Sequence, residues 1–269
     1  MFGDDAFGHN VHGFTSGLIG TDGNIGNTPP GYLAAYDPAS TDYDPAYPAA
    51  VPQLLCAGQN GCHGDRDVKS QTAAMFDTHH ADDSALRNGS LVEGSQGSTV
   101  GTSYRFLKGV KGGEDSDWEA TKDATDHNVY KGMVYASRST QTWGGGTAVA
   151  TISQLCGECH GNFHASAGIE GSGSTWLRHP TDIILPNSGE YASFTTYNTD
   201  TPIGRPTISD PVSGTVTPGT DIVICLSCHR AHASQYNDAL RFSYGEMLLG
   251  TAGGGQGNGC FVCHGTKDG

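Results

Sequence analysis

The chain has 269 residues, of which 40 are glycine and only 36% are hydrophobic. Its formal net charge is −14, and its 14 Lys and Arg residues form no block. This argues against a nucleic-acid or anionic-membrane surface, because such surfaces need clustered basic side chains. No apolar run reaches the roughly 18 residues of a transmembrane helix. A chain this rich in glycine has little apolar surface to offset the entropy of ordering, so we expect bound cofactors to supply part of the core.

Residues 1–53 are predicted to form an extended N-terminal arm. Pro and Tyr recur throughout the run PPGYLAAYDPASTDYDPAYPAAVP, which is incompatible with a single helix or a central strand. The aromatic residues of the arm favour packing on another surface, and the alternative is a disordered linker. The first residues also lack the basic start and apolar stretch of a signal peptide.

The eight cysteines form four pairs, and a histidine directly follows the second cysteine of every pair. Three pairs have the spacing CxxCH, which is the attachment signature of c-type haem. On a helical turn, residues i and i+3 lie on one face, so both sulfurs reach one edge of the porphyrin and the next residue ligates the iron. The regular motifs are Cys156, Cys159 and His160; Cys225, Cys228 and His229; and Cys260, Cys263 and His264.

The first pair is irregular, because five residues, AGQNG, separate Cys56 from Cys62. Two glycines and an asparagine are typical of a turn, so the extra residues can bulge out and leave the sulfurs at the usual separation. The run Cys62-His63-Gly64 also repeats the Cys-His-Gly of two regular motifs. We therefore predict a haem site here too; the alternative is a Cys56–Cys62 disulfide with His63 free.

Two other uses of paired cysteines explain the pattern less well. Zinc sites use CxxC pairs, but they do not require a histidine after each pair. A disulfide framework suits eight cysteines in an exported chain, but it leaves the histidines unexplained and closes very small loops. The sequence therefore predicts four haem c groups. Because such haem is attached outside the cytoplasm, we expect an exported protein, extracellular or at the cell surface, with its signal peptide absent from this numbering.

In chain order, residues 54–269 are predicted to form one tetrahaem domain. Residues 54–135 carry haem 1 and two short helices, one beginning at residue 71 and leading to His80, the other running from Asp117 to His127. Residues 152–185 carry haem 2, weak alternation over 186–221 predicts a short hairpin, and 222–269 carry haems 3 and 4. The predicted fold is mostly coil with short α-helices around a chain of four covalently bound haems, with little β-structure.

The proximal iron ligands are predicted to be His63, His160, His229 and His264. Eight histidines remain, and this surplus favours a second histidine on every iron, which leaves no open coordination position for a substrate. We therefore expect an electron-transfer protein and not an enzyme. The distal candidates, of which four are expected, are His12, His80, His127, His164, His179 and His232.

Some distal candidates have distinctive positions. His164 and His232 lie about one turn beyond a proximal histidine, so each can reach a neighbouring haem but not its own. His79 is the weaker member of the His79-His80 pair, with hydrogen bonding to a haem propionate as its alternative role. His9 and His12 lie in the arm, where a ligand would serve the haem of the next molecule and create a head-to-tail contact that builds open filaments.

The segments CHGNFH, WLRHPTDIILP, ICLSCHRAHAS and GCFVCH resemble those of multihaem outer-surface c-type cytochromes of metal-reducing microbes, in particular four-haem OmcE-type cytochromes that polymerise into extracellular nanowires. The resemblance spans residues 54–269 and implies a coil-rich fold, two histidines on every iron and rings in alternating slip-stacked and T-shaped contact. By similarity, His12 or His9 supplies one distal ligand across the protomer boundary. The CX5CH spacing at residues 56–63 departs from the pattern.

The expected function is extracellular electron transfer by hopping along the four haems, as the subunit of a polymeric filament. Its partners are then other copies of the chain, redox proteins and extracellular metal oxides, with no nucleic acid and no membrane span. A monomeric periplasmic or surface shuttle is one alternative. A multihaem reductase is another, and it needs one haem without a distal histidine. A structural protein with haem as filler is the third.

Overall fold

The structure is a computed structural model that describes His9 and residues 55–59, 61–76, 78, 99–115, 121–134, 151–159, 179–208, 212–232, 234–250 and 257–265. The rest of the predicted arm lies outside these residues. So do five histidines named above: His12, His79, His80, His160 and His164.

Helices in the described residues are short. α1 spans Gln71–Ala74 and begins where the sequence predicted, with the Ser70 hydroxyl accepting from the Ala73 N–H at 3.3 Å. α2 spans Ile152–Cys159, and its start is a reciprocal cap. The Gln154 N–H donates to the Thr151 hydroxyl at 3.2 Å, while the Thr151 N–H donates to the Gln154 side chain at 3.1 Å. Single 3-10 turns make up most of the other helical structure: Val100–Thr102, Tyr104–Phe106, Gly189–Ser193, Cys225–Ser227, Asn237–Ala239, Tyr244–Glu246 and Gly259–Val262.

The described strands are two or three residues long. They are β1 Leu55–Ala57, β2 Gly61–His63, β3 Gly112–Gly113, β4 Thr121–Asp123, β5 Asp126–His127, β6 Val129–Lys131, β7 Ile183–Ile184, β8 Gly204–Arg205 and β9 Ile222–Val223. Five of them form one sheet in the order β3-β6-β8-β9-β7, in which β6 and β8 are parallel and the other pairs antiparallel. Within the described part of residues 186–221, an antiparallel bridge joins Thr196 to Thr215.

The helix predicted from Asp117 to His127 is wrong over residues 121–127, the part that the structure describes. β4 and β5 form an antiparallel hairpin in which Thr121 pairs with His127 and Asp123 with Asp126. The Asp123 carboxylate accepts from both the N–H and the hydroxyl of Thr125, at 2.7 and 2.9 Å. This local hydrogen bonding stabilises a chain reversal in competition with a helix.

Two apolar clusters lie on opposite faces of the five-stranded sheet. Ile222 belongs to the first cluster and Val223 to the second, as expected for neighbours on one strand, whose side chains point to opposite faces. The first cluster includes Ile152 and Leu155 of α2, with Cys156 packed against it. The second includes Val262, with Cys263 packed against it. The sheet thus holds the second and fourth cysteine motifs on its two sides. None of the described helices is long and apolar enough to cross a membrane.

Candidate haem attachment sites

The third and fourth motifs share one backbone shape. The N–H of His229 donates to the carbonyl of Cys225 at 3.0 Å, and the N–H of His264 donates to the carbonyl of Cys260, also at 3.0 Å. Each chain segment therefore makes one helical turn from the first cysteine to the histidine. This turn brings the two sulfurs and the imidazole to one side of the backbone, as attachment of a single porphyrin requires.

The second motif is the end of helix α2, and it lies against the third. The backbone N–H of Cys225 donates to the Ser153 hydroxyl at 3.0 Å. The hydrogen bond that the protonated Cys156 thiol makes with Cys225, and then burial, hold the pKa of Cys156 well above its ordinary value. The two motifs are thus in direct contact, although Cys225 lies 69 positions after Cys156 in the sequence.

The first motif reaches a similar arrangement by a different route. β1 and β2 are parallel, and Leu55 pairs with Gly61 while Ala57 pairs with His63. Cys56 therefore lies opposite Cys62 on adjacent strands, about 4.8 Å away across the ribbon, which is close to the spacing of i and i+3 on a helix. The intervening turn needs Gly58, which has φ +85°, and an added Cβ there would lie 2.7 Å from the Val68 carbonyl oxygen.

The structure describes the side chains of seven cysteines, and none of these is in a disulfide: Cys56, Cys62, Cys156, Cys225, Cys228, Cys260 and Cys263. Cys56 and Cys62 are therefore not joined as the disulfide alternative requires. Burial raises the pKa of Cys228 and that of Cys263 to about 12 in each case. Within the described residues, no group of three His, Cys, Asp or Glu side chains is arranged to hold a bare metal ion.

Each of the three described proximal histidines donates through Nδ1. His63 donates to the Arg105 carbonyl at 2.8 Å, His229 to the Asp238 carbonyl at 2.7 Å, and His264 to the Glu190 carboxylate at 2.9 Å. Because a carbonyl or carboxylate oxygen only accepts, the hydrogen resides on Nδ1 and the lone pair of Nε2 is left for a metal. Hydrogen bonding at the remote nitrogen is the usual way in which proteins orient a ligating histidine.

The acceptors Arg105 and Asp238 belong to two turns of the same design. Arg105 and Phe106 have φ of 47° and 56°, and Asp238 and Ala239 have φ of 60° and 53°. In each turn the carbonyl of the second residue accepts from the backbone N–H of the residue after the histidine. The Gly64 N–H donates to Phe106 at 2.6 Å, and the Arg230 N–H donates to Ala239 at 2.8 Å. Positive φ at four non-glycine residues costs about 1 kcal/mol or more each, so neighbouring contacts must hold these turns.

Charged side chains supply part of that support. Glu114, which is buried, accepts from the Arg105 N–H at 2.8 Å and pairs with its guanidinium at 3.3 Å. At the other turn, the buried Arg241 guanidinium donates to the carbonyls of Leu226 at 2.7 Å and His229 at 3.2 Å. Sequence reasoning missed these residues, because nothing in their type marks a positive φ or a backbone acceptor.

Two distal candidates face proximal histidines. The ring centroids of His63 and His232 are 6.1 Å apart with 24° between the planes, and those of His179 and His264 are 6.1 Å apart with 87° between the planes. Two imidazoles bound through Nε2 on opposite sides of one metal, at about 2.0 Å each, have centroids roughly 6 Å apart. The centroid distance of both pairs is therefore compatible with two imidazoles on opposite sides of one iron.

His127 lies in a different environment. It is 1% exposed, its ring stacks on Tyr197 with centroids 3.6 Å apart, and its Nδ1 donates to the Asn128 carbonyl at 2.7 Å. Burial lowers its pKa. Among the described histidines, none faces His127 in the way that His232 faces His63, and His127 stays a distal candidate that lies in a buried position.

His9 is the described residue of the arm. Its Nδ1 donates to the Ala231 carbonyl at 2.8 Å, within the same chain. Burial, and then the charges of His63 and His9, lower the pKa of the neighbouring His232. The arm thus reaches the segment that follows the third motif.

No family model matches this chain, and no curated protein and no solved structure matches it at a significant level. Function is therefore inferred from the residues and their geometry.

Proposed function

We propose that this chain is an electron-transfer protein that carries four haem c groups. The observation that carries the proposal is the presence of two pairs of facing imidazoles, each with centroids 6.1 Å apart. Each pair includes the histidine of a Cys-His motif. The proposed thioether residues are Cys56, Cys62, Cys156, Cys159, Cys225, Cys228, Cys260 and Cys263, and the proposed proximal ligands are His63, His160, His229 and His264.

Each bound haem supplies an iron that changes reversibly between the ferric and ferrous states by one electron. The cysteines fix the ring position, and the proximal histidines are oriented by their Nδ1 hydrogen bonds. His232 and His179 are the proposed distal ligands opposite His63 and His264. With both axial positions filled by protein, no iron coordination position is left for a substrate, which favours electron transfer over catalysis.

Close contacts between motifs support transfer from site to site. His232, which follows the third motif, faces His63 of the first. Cys156 of the second motif contacts Cys225 of the third. Burial, and then the charge of Cys260 in the fourth motif, raise the pKa of Cys228 in the third. The four motifs therefore form one connected group, in which an electron has a short path from any site to the next.

The resemblance described above supports a polymeric, extracellular form of this electron carrier, with the arm of residues 1–53 contacting the next subunit. The described arm residue His9 donates to Ala231 of its own chain, beside the proposed ligand His232, so the contact with the next subunit rests on the resemblance. A monomeric shuttle uses the same haem sites, so the size of the particle separates these two forms.

The test is the intact mass of the protein matured with c-type haem attachment. We expect the polypeptide plus four covalent haems, a sharp α band on reduction, and filaments on negative-stain grids. A mass short of four haems contradicts the proposal. Particles of monomer size would exclude the polymer and would still agree with an electron carrier. A high-spin ferric signal from one haem in four, measured by electron paramagnetic resonance, would support the reductase alternative.

A further inference from the structure

The fourth motif differs from the first and third in what holds its histidine. His63 and His229 donate to backbone carbonyls, which are neutral, whereas His264 donates to the Oε1 atom of Glu190 at 2.9 Å. The side chain of Glu190 is 22% exposed, so water screens it only in part. Among the described proximal histidines, His264 therefore has the one hydrogen bond to a negatively charged acceptor.

Local packing fixes the Glu190 carboxylate in this position. Glu190 lies in the 3-10 turn Gly189–Ser193, and the Ser193 hydroxyl donates to its carbonyl at 3.1 Å. The turn packs directly on the residue after His264, because a Cβ added to Gly265 would lie 3.3 Å from the Glu190 carbonyl and 3.0 Å from the Ser193 hydroxyl. The Tyr191 ring also meets the His264 ring edge to face, with centroids 5.1 Å apart.

A carboxylate acceptor changes the electronic character of the imidazole. Hydrogen bonds to an ionised acceptor are roughly twice as strong as neutral ones, and they raise the basicity of the histidine as a ligand. A more basic ligand stabilises ferric over ferrous iron. The negative charge of Glu190 acts in the same direction, because it interacts favourably with the additional positive charge of the oxidised site.

We propose that Glu190 is a positioning residue that lowers the reduction potential of the haem held by Cys260, Cys263 and His264. The inference rests on the proposed binding of haem c. The fourth site is then harder to reduce than the first and third sites would be with the same exposure and ring geometry. A difference in potential between sites gives the connected group a preferred direction of electron flow.

The experiment compares the wild-type protein with Glu190→Gln and Glu190→Ala by redox titration at one fixed pH. The glutamine variant keeps an oxygen acceptor and removes the charge, and the alanine variant removes both. We expect one of the four one-electron steps to move to a more positive potential in both variants, further in alanine, while the other three stay in place.

The matched control is Glu246→Gln. Glu246 is an exposed carboxylate in the 3-10 turn Tyr244–Glu246, and its backbone carbonyl accepts from Asn258 at 3.0 Å. The Glu246→Gln substitution removes the same charge near the fourth motif, at a residue that does not contact any of the described proximal histidine rings. An equal shift in this variant would mean that net charge, and not the hydrogen bond to His264, sets the potential, and it would overturn the proposal.

Haem content is measured first in every variant, so failure of the two proposals can be distinguished. Fewer than four haems in the wild type defeats the proposed function itself. Four haems in all proteins, with four unmoved steps in Glu190→Gln, defeats the role of Glu190 alone. If Glu190→Gln loses the fourth haem, Glu190→Ala decides. A fully loaded alanine variant with an unmoved fourth step overturns the proposal, and a shift to a more positive potential supports it.

Discussion

The imidazole rings of His63 and His232 face each other at 6.1 Å with only 24° between their planes, although His63 belongs to the first cysteine motif and His232 follows the third. His179 and His264 stand at the same distance with 87° between the planes. One chain thus contains two facing pairs of the same length and nearly opposite relative orientation. Since ring orientation governs the splitting of the iron d orbitals, the two pairs are expected to be distinguishable by spectroscopy.

The first prediction concerns the electron paramagnetic resonance spectrum of the oxidised protein. Nearly parallel rings split the two iron d orbitals that overlap with imidazole, which gives a rhombic low-spin signal. Perpendicular rings leave those orbitals close in energy, which gives a highly anisotropic signal with a large maximal g value. We expect a signal of each kind, each equal to at least one haem in four.

Two alanine variants assign these signals. His179→Ala is expected to remove intensity from the highly anisotropic signal and to add the signal of one high-spin haem. His232→Ala is expected to remove intensity from the rhombic signal and likewise to add one high-spin haem. The reverse assignment, or a spectrum unchanged in either variant, contradicts the facing pairs as axial ligands.

The second prediction concerns the turn of the first motif. Gly58→Ala places a side chain at φ +85° and 2.7 Å from the Val68 carbonyl oxygen, so we expect the motif to be destabilised by more than about 1 kcal/mol. Peptide mass mapping should show lower haem occupancy at Cys56 and Cys62, with the other three motifs fully occupied. The exposed neighbour Gln59→Ala is the control and should show full occupancy; equal occupancy in both variants would contradict the ribbon geometry.

The third prediction concerns the buried ion pair of β8. Arg205 and Asp221 lie 3.0 Å apart with side chains 10% and 3% exposed, and Asp221 also accepts from the Thr217 N–H at 2.7 Å. Burial raises the pKa of Asp221 despite the guanidinium, so the pair gains little net energy. Removing one partner leaves a buried charge, and Asp221→Asn is expected to lower the free energy of unfolding by about 3 kcal/mol.

Two further variants test that reasoning by thermal unfolding. Asp65→Asn breaks the ion pair with Lys108, which is of comparable length at 2.6 Å but about one quarter exposed, and should cost less than about 1 kcal/mol. The double variant Arg205→Met with Asp221→Leu removes both buried charges and should recover much of the lost stability. A double variant as unstable as Asp221→Asn would argue that the pair itself stabilises the sheet.

The fourth prediction concerns the pH dependence of stability. Burial lowers the pKa of His127 in the folded protein, so at a pH just below about 6.5 the unfolded chain binds a proton that the folded chain does not. Stability therefore rises with pH through this window and is lost as the pH falls. The melting temperature should drop between about pH 6.5 and pH 5, and the drop should be smaller in His127→Phe, which keeps a ring against Tyr197. An equally steep drop in both proteins would mean that a group other than His127 causes the pH dependence of stability.

Local spacing was sufficient to predict the one-turn geometry of the third and fourth motifs, since the backbone bond from His229 to Cys225 recurs between His264 and Cys260. It was also sufficient for the start of the first helix at Gln71. It failed at Asp117 to His127, where the hydrogen bonds of Asp123 to Thr125 favour a hairpin. At that position a short-range side-chain interaction outweighs a weak helical pattern.

The sequence by itself determined which residues are the candidates for haem attachment, because sulfur and imidazole at fixed short spacing are a property of a few consecutive residues. Only the tertiary structure decided which histidines face one another, that His127 is buried, and that His264 alone of the described proximal ligands is held by a carboxylate. These choices depend on contacts between segments far apart in the chain. Such contacts are set by sheet register and packing, which no local spacing encodes.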